Sequence, residues 1–412
     1  MKIAVIGTGI AGLGAAHVLA RVHDVEVFER DPRAGGHAHT VSVAHRGGPD
    51  LALDTGFLVH NTRNYPLLTR LFAELGVRTQ ASEMSFSVTC ARCGLAYAGR
   101  DLWGQRAQLR DPRMRRLAAQ IVRFSAISGR WRDGRHRTRT LAQLVDHEGF
   151  SADFRDHFLV PFTAAIWSMS PADALAFPAD DALNFFANHK VLGLRRRTWR
   201  TVVGGSRTYV EAITSRLGER VRLGAGVSQV ARVGDGVELV RDDGIAARFD
   251  AAVLATHSDQ ALAAIVSPTA TEVAVLGDLT YTPNRAVLHT DRLVLPPDES
   301  VWASWNYRVD DCTDPDGPPT VTYLLNRLQR LDSATPYCVT LNRTDIAPTQ
   351  VITAMDYAHP RYSFRALRAQ ARLPEINGAD RIWFAGAYHR HGFHEDGLRS
   401  GLAVAAALGA HW

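Results

Sequence analysis

Short apolar runs separated by glycine turns occur in three parts of the chain, and each run has the length of a buried strand. In the first part, apolar runs at residues 3–6 and 25–29 flank a glycine turn and an Ala/Leu-rich stretch. The second part predicts a strand at 221–223, then a hairpin with residues 227–240 and a turn at Asp242-Asp243-Gly244, then a strand at 249–255. In the third, residues 382–385 precede a glycine-rich loop and a closing apolar helix. This pattern predicts an α/β fold.

Two longer segments separate these three parts. Residues 61–199 have a mainly helical pattern, with an amphipathic helix at 65–75, and residues 271–375 mix helix with strands at 287–290 and 320–325. The sequence therefore predicts two discontinuous domains. One is Rossmann-like and comprises residues 1–60, 200–270 and 376–412; the other is an inserted α+β domain of residues 61–199 and 271–375.

The turn after the first strand has glycine at positions 7, 9 and 12, the spacing of a dinucleotide-binding loop. Gly7 permits the tight turn, Gly9 lets a pyrophosphate approach the backbone, and Gly12 lets helix and strand pack closely. Unpaired N–H groups at the start of the helix would face the phosphates. The second strand ends at Glu29, whose carboxylate can accept hydrogen bonds from both hydroxyls of an adenosine ribose. A dinucleotide site is therefore predicted.

Further motifs favour FAD over NAD as this dinucleotide. Gly35 and Gly36 let the chain pass near the phosphates and the ribityl chain, and Asp54-Thr55-Gly56 offers another close approach. Near the C-terminus a strand ends at Gly386, and a helix begins within residues 394–401. The N–H groups at the start of that helix can hold a flavin. A nicotinamide nucleotide needs no such return of the chain.

These motifs resemble, in the same order, those of the flavin-containing amine oxidase superfamily, which includes monoamine oxidases, protoporphyrinogen oxidase and phytoene desaturases. The matching segments are 5–12, 28–40, 54–56 and 384–401, which frame nearly the whole chain. Within the superfamily, residues 54–61, 199–206 and 392–401 are similar to those of a bacterial subgroup of FAD-dependent oxidoreductases. That subgroup is often associated with cyclopropane-fatty-acid synthase-like enzymes, so the resemblance implies modification of a lipid or acyl chain.

The resemblance implies a two-domain architecture, amine-oxidase-like or p-hydroxybenzoate hydroxylase-like, in which the inserted domain binds the substrate. It also implies which residues contact noncovalently bound FAD. Those around the pyrophosphate and ribose are Gly7, Gly9, Ile10, Ala11, Gly12, Glu29 and Arg30. The remaining contacts are Gly35, Gly36, His37, Thr40, Thr55, Gly56, Phe57, Val227, Thr256, Gly386, Glu395, Asp396, Gly397 and Leu398.

The candidate catalytic residues near the flavin ring are His394, Phe393, Tyr388, Arg285 and Trp167. A histidine in the loop before the last helix could serve as a general base or polarise a carbonyl near neutral pH, or could be bonded to loop backbone. Trp167 is either a pocket wall or a core residue.

Amine oxidation is disfavoured by the lysine content. Amine oxidases commonly carry a lysine in the substrate domain, whereas this chain has only Lys2 and Lys190, and the comparable stretch offers Asn284 and Arg285. We therefore expect an oxidoreductase that dehydrogenates or desaturates an apolar, acyl or lipid-like substrate by hydride transfer to flavin N5. The alternatives are a non-redox isomerase or mutase, an amine oxidase, and a flavin-binding partner subunit of a lipid-modifying enzyme.

Cysteines and charge add expectations about metals, partners and location. Cys90 and Cys93 form a CxxC pair beside a predicted hairpin turn, but no second pair and no suitably spaced histidine pair accompany them, so no metal site is expected. Residues 100–139 contain twelve arginines and three aspartates. This segment could contact anionic lipid or an acidic carrier protein, or form a solvated surface, and no nucleic-acid motif accompanies it. Because no apolar run reaches the ~20 residues of a membrane span, we expect a cytoplasmic protein, at most peripheral to the inner membrane face.

Overall fold

The computed structural model describes residues 1–45, 48–99, 110–190, 198–314 and 320–412. The chain divides into two compact units. The first unit comprises Met1–Gln80, Val202–Thr280 and Arg365–Trp412, and the second comprises Ala81–Thr201 and Tyr281–Phe364. Each unit is therefore assembled from separated segments of the chain.

The unit boundaries differ from the predicted domain boundaries. Residues 61–80, 271–280 and 365–375 belong to the first unit, whereas the sequence assigns them to the inserted domain. Two helices explain the difference. The first N–H groups of α2 (Pro66–Leu75) bond to a carboxylate near the C-terminus, and α13 (Phe364–Ile376) contributes Leu373 and Ile376 to the core of the first unit. Helical periodicity identifies an apolar face but not the surface that covers it.

The first unit is built on a parallel five-stranded sheet with the strand order β19-β13-β1-β2-β9. These strands are β1 (Lys2–Ile6), β2 (Asp24–Phe28), β9 (Val221–Arg222), β13 (Ala251–Leu254) and β19 (Ile382–Phe384). In the register, Ile6 lies opposite both Phe28 and Leu254. Residues Ile3, Ala4 and Val5 are fully buried, as expected for a central strand of a parallel sheet that is covered on both faces.

Smaller sheets and several helices complete the first unit. A three-stranded antiparallel sheet contains β10 (Val227–Val233), β11 (Gly236–Arg241) and β12 (Ala246–Phe249), and a two-stranded sheet contains β3 (Thr40–Val43) and β4 (Leu51–Asp54). The other helices are α1 (Ile10–Leu19), α9 (Arg207–Leu217), α10 (Ser258–Ala264), α11 (Ala270–Gly277) and α14 (His394–Ala407). The segment 227–240 of the predicted hairpin itself contains two antiparallel strands, because Gly234 adopts a φ of +61° and turns the chain.

The second unit contains a seven-stranded sheet with the order β18-β14-β17-β16-β15-β6-β7. Its strands are β6 (Phe86–Cys90), β7 (Ala96–Ala98), β14 (Tyr281–His289), β15 (Trp305–Val309), β16 (Thr320–Leu324), β17 (Cys338–Leu341) and β18 (Val351–Pro360). All neighbours are antiparallel except β15 and β6, which are parallel. Two further strands, β5 (Thr79–Ser82) and β8 (Trp199–Val202), form a two-stranded sheet.

The helices of the second unit lie mainly between residues 112 and 189. They are α3 (Pro112–Trp131), α4 (Leu141–Glu148), α5 (Ala152–Phe154), α6 (Val160–Trp167), α7 (Pro171–Ala176), α8 (Ala179–His189) and α12 (Leu325–Leu328). One turn of π-helix, Arg155–Leu159, joins α5 to α6. Among the described helices, none combines the length and the apolar composition that crossing a bilayer requires.

Helix α3 carries part of the arginine-rich segment. Its buried residues recur at helical spacing: Met114, Leu117, Phe124, Ile127 and Trp131. Several arginines nearby are paired within the unit, including Arg113 with Asp153 and Arg123 with Glu148. Residues 100–109, which belong to the predicted basic segment, lie outside the described residues. Membrane or carrier contact through this segment stays a prediction.

Candidate cofactor-binding site

The loop between β1 and α1 is shaped by its glycines. Gly7 has a φ of +103°, and its N–H donates to the Phe28 carbonyl oxygen at 2.8 Å. A Cβ atom on Gly7 would lie 2.7 Å from the Ala255 oxygen, and one on Gly12 would lie 1.9 Å from the Gly7 oxygen, so neither position tolerates a side chain. A Cβ on Gly9 would meet no described atom within 4 Å. The backbone at Gly9 therefore faces open space.

Helix α1 offers N–H groups to that space. It begins at Ile10, and Gly9 has no side chain that could cap the first turn, so the N–H groups of Ile10 and Ala11 are donors at the positive end of the helix dipole. Gly36, with a φ of +55°, comes close to this loop, since its Cβ would lie 3.2 Å from the Gly9 Cα. An anionic group between these segments would meet backbone donors.

Arg33 adds a cation that the sequence analysis missed. Its Nη2 donates to the Gly36 carbonyl oxygen at 2.9 Å, and its Nη1 is buried without a hydrogen-bond partner among the described residues. A guanidinium held in this way beside a glycine loop fits a phosphate oxygen. The only signal in the sequence is a basic residue two positions before the glycine pair.

Glu29 lies directly after β2, as predicted. Its Oε2 accepts hydrogen bonds from the Thr8 N–H at 2.9 Å and from the Thr8 hydroxyl, and its Oε1 accepts one from the Asp31 N–H at 3.0 Å. Because a carboxylate oxygen can accept two hydrogen bonds, Oε1 keeps a site for a ribose hydroxyl. The Ala225 N–H donates to the Glu29 carbonyl oxygen at 2.7 Å, which brings the start of β10 beside this acid.

Three other predicted cofactor residues have different surroundings. Thr256 is next to the loop, since a Cβ on Gly7 would lie 3.4 Å from its methyl group. Val227 is buried at the start of β10, close in sequence to the segment that bonds Glu29. Arg30 is 68% exposed, and its Nε lies 3.7 Å from Asp242 Oδ2.

Asp54, the first residue of the Asp54-Thr55-Gly56 motif, is hydrogen-bonded to the residue that precedes α9. Its Oδ1 accepts hydrogen bonds from the Thr40 hydroxyl at 2.6 Å, the Ser206 N–H at 2.8 Å and the Ser206 hydroxyl at 2.7 Å. Burial raises the pKa of Asp54 to about 6, although these hydrogen bonds lower it. The Thr40 hydroxyl also accepts from the Arg207 N–H at 2.9 Å. The Thr40 hydroxyl is therefore engaged inside the protein, and a cofactor contact of Thr40 stays a prediction.

The segment of Thr55, Gly56 and Phe57 runs beside His37 and His39. The N–H of Thr55 donates to the His39 oxygen at 2.9 Å, and that of Phe57 donates to the His37 oxygen at 2.8 Å. A Cβ on Gly56 would lie 2.2 Å from the His37 oxygen. The close approach predicted at Gly56 is thus made to the neighbouring backbone.

Helix α14 packs directly on α1. A Cβ on Gly401 would lie 2.1 Å from the Ala11 oxygen, and one on Gly397 would lie 2.9 Å from the Ile10 Cγ2. Leu398 fills the space beside Gly14. The C-terminal segment therefore returns to the start of the dinucleotide loop, which is the arrangement that the FAD hypothesis requires.

Two α14 residues that are predicted to contact the cofactor have side chains that cap helices. Glu395 accepts hydrogen bonds from the N–H groups of Leu67 at 3.1 Å and Leu68 at 3.0 Å, so its carboxylate caps α2. Asp396 accepts from the Phe393 N–H at 3.2 Å and caps its own helix. The sequence could not reveal the first contact, because its partners lie more than three hundred residues away.

Residues 10–409 match the sequence pattern of flavin-containing amine oxidoreductases. This chain belongs to that family. Its cofactor is FAD, and the site fits it: α1, Gly9, Gly36 and Arg33 would hold the pyrophosphate, and Glu29 the ribose.

Several solved structures have the same fold as this flavoprotein over nearly the whole length of its chain. A double mutant of putrescine oxidase is 15% identical, covers 100% of this chain and 99% of its own, and gives a TM-score of 0.72. A fatty acid isomerase from P. acnes is 14% identical over 99% and 97% of the two chains, with a TM-score of 0.69. Cyclohexylamine oxidase from Brevibacterium oxydans IH-35A is 16% identical over 99% and 98%, with a TM-score of 0.65. These similarities show the fold, and a comparison with curated proteins gives no match.

His394 begins α14 in a neutral environment. Its ring stacks on Phe57, with centroids 3.8 Å apart and an angle of 16°, and its Nε2 lies 3.2 Å from the Tyr209 hydroxyl. Burial lowers the pKa of His394 to about 3, with a smaller effect from His60. The imidazole is therefore uncharged at neutral pH and is a weaker base than an ordinary histidine. Tyr209 was not predicted, and burial raises its pKa, so it stays a phenol.

Tyr388 is a core side chain. It is 2% exposed and packs in a cluster that includes Ile6, Phe28 and Phe384. Gly386 is required there, because a Cβ on it would lie 2.3 Å from the Tyr388 ring. The Tyr388 ring therefore has a packing role in the core, not the predicted catalytic one. Phe393, another predicted catalytic residue, directly precedes α14.

Arg285 and Trp167 belong to the second unit. Arg285 is 62% exposed, and its Nη1 lies 3.7 Å from Asp356 Oδ1. The preceding residue, Asn284, points the other way and is buried, and its Nδ2 donates to the Ser168 oxygen at 3.2 Å. Trp167 is 5% exposed, with its ring centroid 4.5 Å from that of Phe177, which favours a core role.

Proposed function

We propose that this FAD-dependent oxidoreductase dehydrogenates an apolar substrate with an acyl or lipid-like chain. The observation that carries the proposal is the state of the polar groups at the start of α14. His394 is neutral and stacked on Phe57, and the carboxylates of Glu395 and Asp396 cap helices. The Glu395 carboxylate also pairs with Arg399 at 3.2 Å, so its charge is already balanced within the protein, and a buried ammonium group would need another anionic partner.

The two lysines also have positions that argue against amine oxidation. Lys2 is in β1 and pairs with Glu26 at 3.0 Å, and Lys190 is exposed directly after α8. The buried polar residue of the stretch compared with the amine oxidase lysine is Asn284, which is hydrogen-bonded to Asn342 as well as to Ser168.

The chain's own residues bind and orient the reactants. Bound FAD would supply the hydride acceptor for the dehydrogenation. The start of α1, Arg33 and Glu29 would fix the dinucleotide end of the cofactor. The pair of His394 and Tyr209 keeps an uncharged polar contact at the start of α14.

A second candidate function is double-bond isomerisation without net oxidation. The fatty acid isomerase that shares the fold over 99% of this chain favours it. An isomerase would need the same neutral surroundings for an acyl chain, but it would consume no electron acceptor.

Anaerobic mixing of the FAD-loaded enzyme with candidate substrates tests the proposal. We expect flavin absorbance to bleach with free fatty acids or acyl phospholipids and to persist with putrescine or cyclohexylamine. Mass spectrometry of the product should show the loss of two hydrogens, whereas an unchanged mass with a moved double bond indicates an isomerase. The variant Lys190→Ala should bleach as the wild type does. Bleaching by amines alone would overturn the proposal.

A further inference from the structure

Four side chains that the cofactor site does not use meet in the second unit. The sulfur atoms of Cys90, Cys93 and Cys312 and a ring nitrogen of His157 all lie within 4.8 Å of one another. We propose that these residues bind one Zn²⁺ ion in a tetrahedral Cys₃His site. With Zn–S bonds of ~2.3 Å and a Zn–N bond of ~2.0 Å, neighbouring ligand atoms lie ~3.5–3.8 Å apart, so small side-chain movements would complete the shell.

The first two cysteines lie on a tight turn between β6 and β7. Cys90 ends β6, and its N–H donates to the Leu95 oxygen at 2.8 Å. The Gly94 N–H donates to the Cys90 oxygen at 3.0 Å, and Gly94 itself has a φ of +71°. A Cys-x-x-Cys-Gly turn of this kind points two thiols to the same side, as metal-binding turns do.

His157 is supplied by the turn of π-helix between α5 and α6. Its Nε2 lies 3.2 Å from Cys93 Sγ, and its Nδ1 lies 3.5 Å from Asp153 Oδ1. This separation is a charge contact without a hydrogen bond, and a small rotation of either side chain would give the carboxylate–histidine pairing that orients many ligating histidines. The Tyr97 hydroxyl donates to the His157 carbonyl oxygen at 2.7 Å and ties this turn to β7. Single π-helical turns occur frequently at functional sites.

Cys312 reaches the site through the parallel pairing of β15 with β6. Val309, at the end of β15, lies opposite Cys90, and the Ala91 N–H donates to the Val309 oxygen at 2.8 Å. The turn beyond β15 is held by Arg92, whose Nη1 donates to Asp311 Oδ2 at 2.6 Å. The third thiol is thus delivered by a different part of the chain.

The charge around the cluster suits a metal thiolate. Three thiolates and a neutral imidazole give the Zn²⁺ complex a net charge of −1, and the Arg113 Nη2 lies 3.4 Å from Cys93 Sγ. Arg113 is itself oriented by Asp153, to which its Nε donates at 2.9 Å. Sulfur-rich tetrahedral sites select Zn²⁺ over hard cations such as Mg²⁺ or Ca²⁺. Four protein ligands leave no open position, so the ion would be structural.

Metal analysis of the full-length flavoprotein, purified without chelators, tests the site. We expect about one zinc per chain by inductively coupled plasma mass spectrometry. At a buffered free zinc concentration, Cys93→Ser, Cys312→Ser and His157→Ala should each lower the zinc content at least ~tenfold. His157→Cys should retain zinc, because it supplies a fourth thiolate. Cys338→Ala, which changes the one cysteine outside the cluster, should also retain it.

Two readouts keep the test decisive if a variant folds poorly. Cobalt substitution of the wild type should produce thiolate-to-cobalt charge-transfer absorption, and His157→Cys should shift it. Alkylation of the wild type should label Cys90, Cys93 and Cys312 only after chelation, while FAD content stays the same. A disulfide among these three cysteines, labelling that is indifferent to chelation, or zinc content unchanged in the cysteine variants would overturn the proposal.

Discussion

Alanine substitutions of three glycines would separate cofactor binding from folding at the first helix. Gly9 has a φ of −62° and a ψ of 172°, which alanine adopts freely, and its Cβ would meet no described atom within 4 Å. We expect Gly9→Ala to change the free energy of unfolding of the FAD-free protein by less than ~1 kcal/mol. The added methyl would occupy the space of the pyrophosphate, so FAD affinity should fall at least ~tenfold, or ~1.4 kcal/mol.

Gly12→Ala and Gly14→Ala provide the comparison. A Cβ on Gly12 would lie 1.9 Å from the Gly7 oxygen, so the loop and the helix must separate, and we expect losses of ~1–3 kcal/mol or more in stability along with FAD binding. A Cβ on Gly14 would lie 2.5 Å from the Leu398 Cδ1, the end of a flexible side chain. Gly14→Ala should therefore affect both quantities less than Gly12→Ala does.

Urea unfolding of the FAD-free variants and titration with FAD, followed by the quenching of flavin fluorescence, measure the two quantities separately. The reasoning is refuted if Gly9→Ala binds FAD as tightly as the wild type, since the phosphates would then not pass over Gly9. It is also refuted if all three variants lose stability to the same extent.

Two further predictions concern α14. Because the folded state lowers the pKa of His394 to about 3 from 6.5, unfolding takes up a proton below pH ~6, and stability should fall by ~1.4 kcal/mol per pH unit between about pH 6 and 4 from this group. Urea unfolding from pH 7 to 5 should show a smaller slope in His394→Asn, and an unchanged slope would contradict the assignment. Glu395→Gln should cost ~1–2 kcal/mol, because an amide cannot accept from both α2 N–H groups. FAD affinity, measured by titration, should not change; a large loss would restore Glu395 as a cofactor contact.

The backbone of the site follows from the sequence because glycine constraints are local. Gly7, Gly12 and Gly36 have the positive φ values or close backbone approaches that their spacing predicts. The acidic end of β2 also lies where the strand pattern places it, at Glu29. Each of these features depends on residues within one strand–turn–helix unit, so a short stretch of sequence contains the information.

The side-chain roles were harder to predict because they depend on distant partners. Thr40 and Glu395 carry polar groups in flavoprotein motifs, yet each is satisfied by another segment of the protein, at Asp54 and at the start of α2. Tyr388 illustrates the same limit, since only the packed core shows that its ring is buried. Residue type and spacing cannot distinguish a ligand contact from a buried cap or a core ring.

The cluster of three cysteines and one histidine could not be predicted, for a related reason. A zinc site is usually identified from two closely spaced ligand pairs. Here only Cys90 and Cys93 are close in sequence, and His157 is 64 residues beyond Cys93. The parallel pairing of β15 with β6 brings Cys312 to the same place, and strand order is a property of the whole sheet.

The hydrogen bonds of two buried acids, Asp54 and Glu395, also bear on the choice of substrate. Asp54 joins Thr40 to Ser206, and Glu395 joins α14 to α2, so both buried acids bind together the segments that frame the cofactor. The Glu395 carboxylate is also paired with a cation of the protein, Arg399, whose Nη2 lies 3.2 Å from its Oε1. The groups left at the start of α14 are the neutral His394, the phenol of Tyr209 and the ring of Phe57. A substrate that bound there would meet uncharged groups, which suits the proposed acyl or lipid-like substrate.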